Sequence, residues 1–233
     1  MEQAKKIYLN WSGGKDSSLC LWEAFRQGIA PSALLTSINS VYDRISMHGV
    51  RRELLLRQAA SLGLPLYTVE LPENPSVPEY EEKMREQVTS LKQQGFSHAM
   101  FGDIFLEDLR QYREKQLQPM EISCLFPLWK KDTGELLRQF LDLGFRAVVV
   151  CVNEQYLDKS FCGRLIDRSF MHDLPAGVDP CGENGEYHSF VYDGPVFKEP
   201  IPFTTGEMLT RQYDRPGAAE ENYTFCFCDL IPL

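Results

Sequence analysis

The fold is decided by the stretch IYLNWSGGKDSSL at residues 7–19. Its apolar start, Ile7 to Asn10, predicts a short strand. Apolar residues then recur at helical spacing through Phe25, and Gly28 ends the pattern, so a helix is predicted here. A tight polar loop with two glycines therefore joins a first strand to a first helix.

This loop has the composition of an anion-binding site. Glycine lets the backbone approach a ligand closely, and the first turn of a helix presents unpaired N–H groups and the positive end of its dipole. Lys15 adds a positive charge, so the expected ligand is a polyanion such as a phosphate or pyrophosphate. The candidate nucleotide-binding residues of the loop are Ser12, Gly13, Gly14, Lys15, Asp16, Ser17 and Ser18.

The residues alone leave two other interpretations of the loop open. Ser12 and Lys15 match the serine–lysine pair of penicillin-recognising acyl-enzymes, although neither SDN nor KTG follows. A plain strand-to-helix turn is the second interpretation, because Gly-Gly is common in turns. A Walker A loop is excluded, since the spacing GxxxxGK[ST] is absent.

The segment from Ser12 to Ser17 resembles the SGGxDS signature of the PP-loop ATP pyrophosphatases. Members of that superfamily split ATP into AMP and pyrophosphate to activate a carboxylate, a urea-like oxygen or an amide. With Lys15 in the variable position and GENGE at residues 182–186, the chain is more narrowly similar to the diphthine–ammonia ligase family and its bacterial relatives. The similarity covers nearly the whole chain and implies an AMP-forming amide ligase in which Lys15 and Asp16 are catalytic.

The composition is that of an ordinary globular protein. The chain has 233 residues, 43% of them hydrophobic, which is enough to bury a full core. A net charge of −9 and a pI near 5.0 disfavour nucleic-acid and membrane-surface binding. Charged residues and the first strand follow Met1 directly, and no apolar run approaches the roughly 18 residues of a membrane span. We therefore expect a cytoplasmic protein without a signal peptide.

Seven cysteines are scattered along the chain without a disulfide framework. An odd number of this kind predicts reduced thiols. Cys226 and Cys228 alternate with aromatic residues and would share one face of a strand. We expect them to be buried there and not to hold a metal.

Between Lys5 and Val152, short apolar runs alternate with amphipathic helices. This alternation predicts a doubly wound parallel sheet of the HUP or PP-loop type, with ligands at the carboxyl ends of its strands. Its last strand, Arg146 to Val152, is rich enough in valine to be buried on both faces. The other expected strands are at 33–38, 66–71 and 98–102. The expected helices are at 51–62, 105–116 and 136–143, with a longer one that is introduced by Pro75 and Pro78 and ends near Gly95.

After Val152 the sequence becomes polar and turn-rich. Strands are predicted at Glu186 to Tyr192, Pro195 to Phe203 and Asn222 to Leu230. The run from Pro127 to Asp132 interrupts the earlier alternation. We therefore divide the chain there into a nucleotide-binding domain, residues 1–130, and a smaller C-terminal α+β unit for the acceptor substrate, residues 131–233. Membership of the next helix and strand in the parallel sheet is the alternative.

Further candidate nucleotide contacts follow the second predicted strand. The resemblance implies that Thr36 and Ser37 meet the adenine and that the loop with His48 and Gly49 lies beside the nucleotide. A capping or surface histidine is the other interpretation of His48.

Gly102 and Asp103 end the fourth predicted strand. Gly102 permits a close approach of the nucleotide, and Asp103 either caps the next helix or binds Mg²⁺ through water. Together with Asp16, Asp103 forms the candidate metal set.

A second stretch with several candidate site residues contains Glu183, Asn184, Gly185 and Glu186. Two glutamates three residues apart on a glycine-bent loop can hold an ammonium ion, position a metal or act as a base. A surface turn is the other interpretation. The resemblance favours a substrate-binding role for these residues, with Glu186 catalytic, and suggests that Arg113 reaches substrate.

The chain also departs from the family pattern in this stretch. Asn184 replaces a glycine, and His188-Ser189 stands where the family usually has Glu-Thr. This departure puts diphthine in doubt as the acceptor.

The resulting hypothesis is an ATP-dependent ligase that adenylates a carboxylate and then forms an amide. Its expected cofactors are ATP and Mg²⁺, and its partners are a small-molecule or protein carboxylate acceptor, ammonia or an amine, and a second copy in a homodimer. No membrane or nucleic-acid partner is expected. Two alternatives stay open: a nucleotide-binding sensor without turnover, and a tRNA-modifying PP-loop enzyme.

Overall fold

The computed structural model describes residues 5–214 and 222–233. Residues 1–4, on which the expectation about a signal peptide partly rests, lie outside the described part. No helix among the described residues is long and apolar enough to cross a membrane.

The first sheet is mostly parallel. Its parallel strands are Lys6–Asn10 (β1), Ala33–Asn39 (β2), Leu66–Leu71 (β4), Phe96–Met100 (β5) and Ser123–Leu125 (β6), and the short strand Arg44–Ile45 (β3) pairs antiparallel with β2. The parallel strands lie in the order β4-β2-β1-β5-β6. The chain thus reverses its direction of growth at β1, and a ligand crevice is expected where β1 and β5 end side by side. The predicted fold class is confirmed.

Six α-helices are found in the described part of the chain. They are Lys15–Arg26 (α1), Arg52–Leu62 (α2), Val77–Gln93 (α3), Glu107–Leu117 (α4), Thr133–Asp142 (α5) and Arg168–Asp173 (α6). Helices α1 to α4 lie between strands of the first sheet, α5 leads from β6 into the C-terminal unit, and α6 lies within that unit. Local sequence explains several boundaries. Ser76 and Glu79 form a capping box at the start of α3, the Asp132 side chain caps α5, and α2 ends at Gly63, whose φ is 70°.

The C-terminal unit contains a second sheet. Its strands are Arg146–Asn153 (β7), Tyr187–Asp193 (β8), Phe203–Asp214 (β9) and Asn222–Pro232 (β10), all antiparallel in the order β8-β7-β10-β9. The prediction that β7 is buried on both faces is confirmed. Its placement in the parallel sheet is wrong, because β7 pairs with β8 and β10. An all-apolar run fits a central strand of either kind of sheet, so burial alone did not decide its partners.

Three other expectations need correction. No strand occupies Pro195 to Pro202, because a run containing Pro195, Pro200 and Pro202 lacks the N–H donors that a ladder requires. Strand β9, which begins at Phe203, was missed because it is a largely exposed edge strand with little apolar alternation. Strand β5 ends at Met100, so Gly102 and Asp103 lie in the loop after it.

Two apolar cores lie on opposite faces of the first sheet. One packs α1 and α2 against the C-terminal unit, with Leu21, Leu54 and Phe190 fully buried. The other lies under α3 and α4 and includes Tyr8 and Phe96. All seven cysteines are free, and Cys226 and Cys228 are buried in β10 as predicted. The domain division at residue 130 stays a prediction.

Candidate active site

The loop between β1 and α1 is held in a conformation that its glycines permit. Gly13 has a φ of 77°, and a Cβ atom there would lie 2.7 Å from Oε1 of Gln58. Gly14 is the N-cap of α1, and a Cβ there would lie 3.0 Å from the Ser189 carbonyl oxygen and 3.1 Å from Cε1 of His48. Larger residues at either position would displace the loop.

Hydroxyl groups fix the first turn of α1. The N–H of Gly14 donates to Oγ of Ser12 at 3.3 Å, and the hydroxyls of Ser17 and Ser18 donate to the Gly14 carbonyl at 2.9 and 3.0 Å. The N–H of Lys15 donates to Oγ of Ser189 at 3.1 Å. Two of the four N–H groups at the start of α1, those of Gly14 and Lys15, therefore already have hydrogen-bond acceptors within the protein.

The N–H groups of Asp16 and Ser17 also belong to the first turn, where a helix offers no internal acceptor. Gly102 packs directly against the peptide bond that joins Asp16 to Ser17. A Cβ on Gly102 would lie 3.1 Å from the Asp16 carbonyl carbon and 3.2 Å from the Ser17 nitrogen. The first turn of α1 thus lies beside the ends of β1 and β5, and a helix N-terminus in such a place can bind phosphate.

The amine of Lys15 is held by contacts within the protein. It is buried, contacts both carboxylate oxygens of Asp16 at 2.9 and 2.7 Å, and donates to the Cys181 carbonyl of the C-terminal unit. It also lies 5.0 Å from the ring centroid of Tyr187. Burial opposes its charge, but Asp16, Tyr187 and Cys181 together outweigh that effect and raise the pKa of Lys15. The amine therefore ties the loop to the C-terminal unit, which the sequence did not reveal.

Gln58 links the loop to strand β8. Its fully buried side chain donates through Nε2 to the carbonyls of Gly13 at 3.0 Å and Val191 at 2.6 Å, and accepts from Nε1 of Trp11 at 3.0 Å. The N–H of Val191 in turn donates to the Gly13 carbonyl at 2.9 Å. Sequence reasoning missed Gln58 and Ser189. The one signal for Gln58 was a polar residue on the apolar face of a predicted helix.

The two residues predicted to contact adenine, Thr36 and Ser37, both form hydrogen bonds within the protein. The buried hydroxyl of Thr36 donates to the Trp11 carbonyl at 2.6 Å, which fixes the start of the loop. The carbonyl of Ser37 accepts from the N–H of Ser46 at 3.1 Å. The structure thus gives both residues a role in shaping the edge of the sheet.

His48 lies beside the loop, as predicted. Its Nδ1 is 3.2 Å from the Ser189 carbonyl oxygen, and its ring centroid is 4.6 Å from that of His188. Burial lowers the pKa of His48 to about 4, and burial with the neighbouring His48 lowers the pKa of His188. Both imidazoles are neutral at pH 7. Gly49, by contrast, is placed by packing, since a Cβ there would lie 2.9 Å from the Phe227 ring.

The two glutamates of the acidic loop have different environments. Glu186 is 1% exposed, and its carboxylate accepts from the N–H of Asp179 at 3.0 Å and from the N–H and Nδ2 of Asn184 at 2.9 and 3.0 Å. Gly185, with a φ of 85°, lets the chain turn between them. Glu186 and Asn184 thus hold the loop together from inside.

Glu183 faces the β5 end of the site. Its Oε1 accepts from the N–H of Ile104 at 2.7 Å. Burial, assisted by the carboxylates of Asp16 and Asp103, raises the pKa of Glu183 to about 7 against the opposing effects of the Ile104 hydrogen bond and the Lys15 charge. A carboxyl group with this pKa exchanges protons near neutral pH.

The predicted metal ligands Asp16 and Asp103 do not form a metal site. Asp103 is paired with Arg113 through contacts of 2.5 and 3.1 Å, and Asp16 is paired with Lys15. No group of three or more His, Cys, Asp or Glu side chains in residues 5–214 and 222–233 is arranged to hold a metal ion. The residues present therefore do not fit a protein-held Mg²⁺. Arg113, the predicted substrate arginine, also lies 4.4 Å from the ring centroid of Phe101.

Two family profiles match the chain: the diphthamide synthase N-terminal domain over residues 5–120 and the diphthamide synthase C-terminal domain over residues 132–214. A diphthine–ammonia ligase from Danio rerio is 24% identical over 227 residues, covering 87% of this chain and 88% of that protein. One from Bos taurus is 25% identical over 225 residues, covering 87% and 84%.

Among solved structures, one described as a predicted subunit of tRNA methyltransferase from Methanocaldococcus jannaschii is similar at a TM-score of 0.43 and 16% identity, covering 84% of this chain and 100% of that one. This likeness is too slight to bear on function.

Proposed function

Because this chain belongs to the diphthamide synthase family, whose relatives are ATP-dependent carbon–nitrogen ligases, we propose that it adenylates a carboxylate and joins the activated carbonyl to ammonia or an amine. The observation that carries this proposal is the opening at the ends of β1 and β5. There Gly102 packs on the peptide bond between Asp16 and Ser17 in the first turn of α1, and the Glu183 carboxylate accepts from the N–H of the nearby Ile104. An anion site and a proton acceptor thus share one edge of the sheet.

In the first step, an oxygen of the acceptor carboxylate attacks the α-phosphorus of ATP. The bond from that phosphorus to the bridging oxygen breaks, and pyrophosphate leaves. Negative charge grows on the leaving oxygen, and fixed N–H donors aimed at it stabilise the transition state without reorganising. The amides of Asp16 and Ser17 and the helix dipole of α1 supply this stabilisation.

In the second step, the amine nitrogen attacks the acyl carbon and AMP leaves. The nitrogen loses a proton as the amide forms, so a nearby base assists. Glu183 suits this role because its pKa is about 7 and its carboxylate lies at the opening. The role expected for Glu186 therefore passes to Glu183, since the Glu186 carboxylate is buried and already accepts three hydrogen bonds.

Mg²⁺ enters the proposal only as the ion that accompanies the nucleotide. Magnesium keeps most of its waters and is often held by phosphates and one or two carboxylates. Asp16 is paired with Lys15 and Asp103 with Arg113, so these two carboxylates are already neutralised by cations of the protein.

The products of ATP cleavage test the proposal. We expect AMP and pyrophosphate, formed in equal amounts and only when a suitable carboxylate is present. The measurement is a screen of carboxylic acids with ammonium, read by release of both products. Formation of ADP and orthophosphate would overturn the proposal. Tight ATP binding without turnover across the screen would instead identify a nucleotide sensor.

A further inference from the structure

A cleft separates α3 from α4 on the face of the first sheet opposite α1 and α2. It encloses about 540 Å³, part of it open to solvent. Tyr8 and Asn10 of β1 and Phe101, just after β5, line it. The cleft therefore lies against β1, whose carboxyl end leads into the loop before α1, and beside the end of β5.

Hydrogen bonds join the two walls of the cleft and fix the distance between them. Glu81 of α3 accepts from the Tyr112 hydroxyl at 3.1 Å and from Nε2 of Gln116 at 2.7 Å, both on α4. Met84 and Met120 add thioether surface to the lining. Flexible thioethers adapt to apolar ligands of different shapes. The site is thus preformed, and its interior suits an aromatic or aliphatic body.

Two guanidinium groups line the cleft and can bind an anion. Arg113 lies over Phe101 at 4.4 Å and reaches Asp103, while Arg85 forms no ion pair within the described residues. Asp103 directly follows Gly102, which packs on the first turn of α1. A carboxylate held at Arg113 would therefore lie at the same strand ends as the first-turn amides of α1.

We propose that this cleft binds the acceptor, and that the acceptor is a free small-molecule carboxylic acid with an aromatic or aliphatic body. Its body packs against Phe101, Met84 and Met120, and its carboxylate points toward Arg113. This inference rests on the proposed ligase activity and specifies its substrate class. Glu81 and Asp103 disfavour a second anionic group on the ligand, so a monocarboxylate fits best.

Methionine methyl NMR on the full chain tests the site without knowledge of the natural acceptor. The probes are 3-phenylpropanoate and its neutral amide, 3-phenylpropanamide. We expect saturable shifts of the Met84 and Met120 methyls, no shift at the exposed Met47 and Met208, and at least tenfold tighter binding of the carboxylate, as loss of a charged hydrogen bond implies. The proposal would be overturned if the two probes bound with equal affinity, or if only methionine methyls outside the cleft shifted.

A cleft-filling variant separates this inference from the ligase proposal. Met84→Trp should lower the affinity for the carboxylate probe more than tenfold and abolish acceptor-dependent AMP release. Its affinity for ATP should stay within twofold of wild type. Met208→Trp, on exposed β9, is the matched control and should change neither. If Met84→Trp turns over the acceptor like wild type, the cleft assignment fails and the ligase stands. If the probes bind as expected and no carboxylate yields AMP, the ligase fails while the cleft site stands.

Discussion

The buried amine of Lys15 makes the first prediction at the scale of the residue. Lys15→Met leaves the Asp16 carboxylate and the Cys181 carbonyl without their partner. We expect the free energy of unfolding to fall by about 3 kcal/mol, because an uncompensated charge then remains partly buried. Urea unfolding measures this change.

Two further variants control that measurement. Lys15→Met/Asp16→Asn removes the orphaned charge and should recover about 1 kcal/mol or more. Lys159→Met, at an exposed lysine without an ion pair in the described residues, should be neutral. Unchanged stability in Lys15→Met with weaker ATP binding would show that the amine serves the nucleotide and not the loop.

Glu183 gives a prediction in pH. Its pKa is about 7 in the folded protein and about 4.5 when unfolded, so the folded state binds more protons between these values. Stability from this group is present below pH 4.5 and is lost as the pH rises to 7, by about 1–3 kcal/mol. Glu183→Gln should therefore be more stable than wild type at pH 8, and the difference should vanish near pH 4.5. Thermal or urea unfolding across this range measures it.

The same titration should appear in the reaction. Amide formation by wild type should rise as the pH approaches and passes 7, because the base must lose its proton first. Glu183→Gln should show no such rise and should be about 10²-fold or more slower than wild type above pH 7, with the difference shrinking at lower pH. Adenylation, measured by pyrophosphate exchange, should persist. Glu82→Gln, at an exposed glutamate of α3, is the matched control. A stability difference that does not change with pH would contradict the assignment.

At the scale of the element, the end of β5 and the start of α1 are spaced by Gly102. Gly102→Ala would place a methyl group 3.1–3.2 Å from backbone atoms of Asp16 and Ser17, which cannot rotate away. We expect a cost of about 1–2 kcal/mol in stability, since overpacking forces backbone shifts, together with weaker ATP binding. Calorimetry with ATP measures the second effect.

Gly134→Ala in α5 is the control for this substitution. Its nearest neighbours are the side chains of Asp132 and Arg138, which can move, and alanine favours a helix. ATP affinity in Gly102→Ala equal to that of the control would show that the nucleotide does not bind at this junction.

The elements also show where sequence reasoning succeeds. Strand β1, α1 and α3 were predictable because apolar periodicity, glycine and capping residues all agree there. Strand β7 was predicted but misplaced, since valine-rich burial does not specify which neighbours it pairs with. Strand β9 was missed because an exposed edge strand needs no apolar face.

The candidate site was predictable to a similar, partial extent. The motif loop and His48 were found where the sequence indicated. The direction of the Lys15 amine and the contrast between Glu183 and Glu186 depend on contacts across the chain, which no local pattern encodes.

At the scale of the whole molecule, Asp229 of β10 holds the two units together. It accepts from Arg44 at 2.7 Å and from Arg51 at 2.6 and 3.1 Å, both in the first unit. Against the effect of burial, these bonds lower the pKa of Asp229 to about 2. Asp229→Asn should cost about 2 kcal/mol at pH 7, and the difference should shrink as the pH falls from about 4 toward 2.

We expect the two units to unfold together. Tryptophan fluorescence reports on the first unit, since Trp11, Trp22 and Trp129 all lie before residue 131, and circular dichroism reports on both. The two curves should coincide and shift together in Asp229→Asn. Asp173→Asn, which breaks an ion pair with Arg164 inside the C-terminal unit, should shift them less. Two separate transitions would show independent domains. The homodimer stays a prediction.

The hydrogen bonds from the loop to β8 also have a consequence for synthesis on the ribosome. Ser189 and Val191 shape a loop that is translated more than 170 residues earlier. A growing chain therefore carries the complete nucleotide motif long before it has the conformation that the motif needs. Nascent chains that lack β8 should not retain ATP, so ATP should bind only to polypeptides whose translation has passed β8.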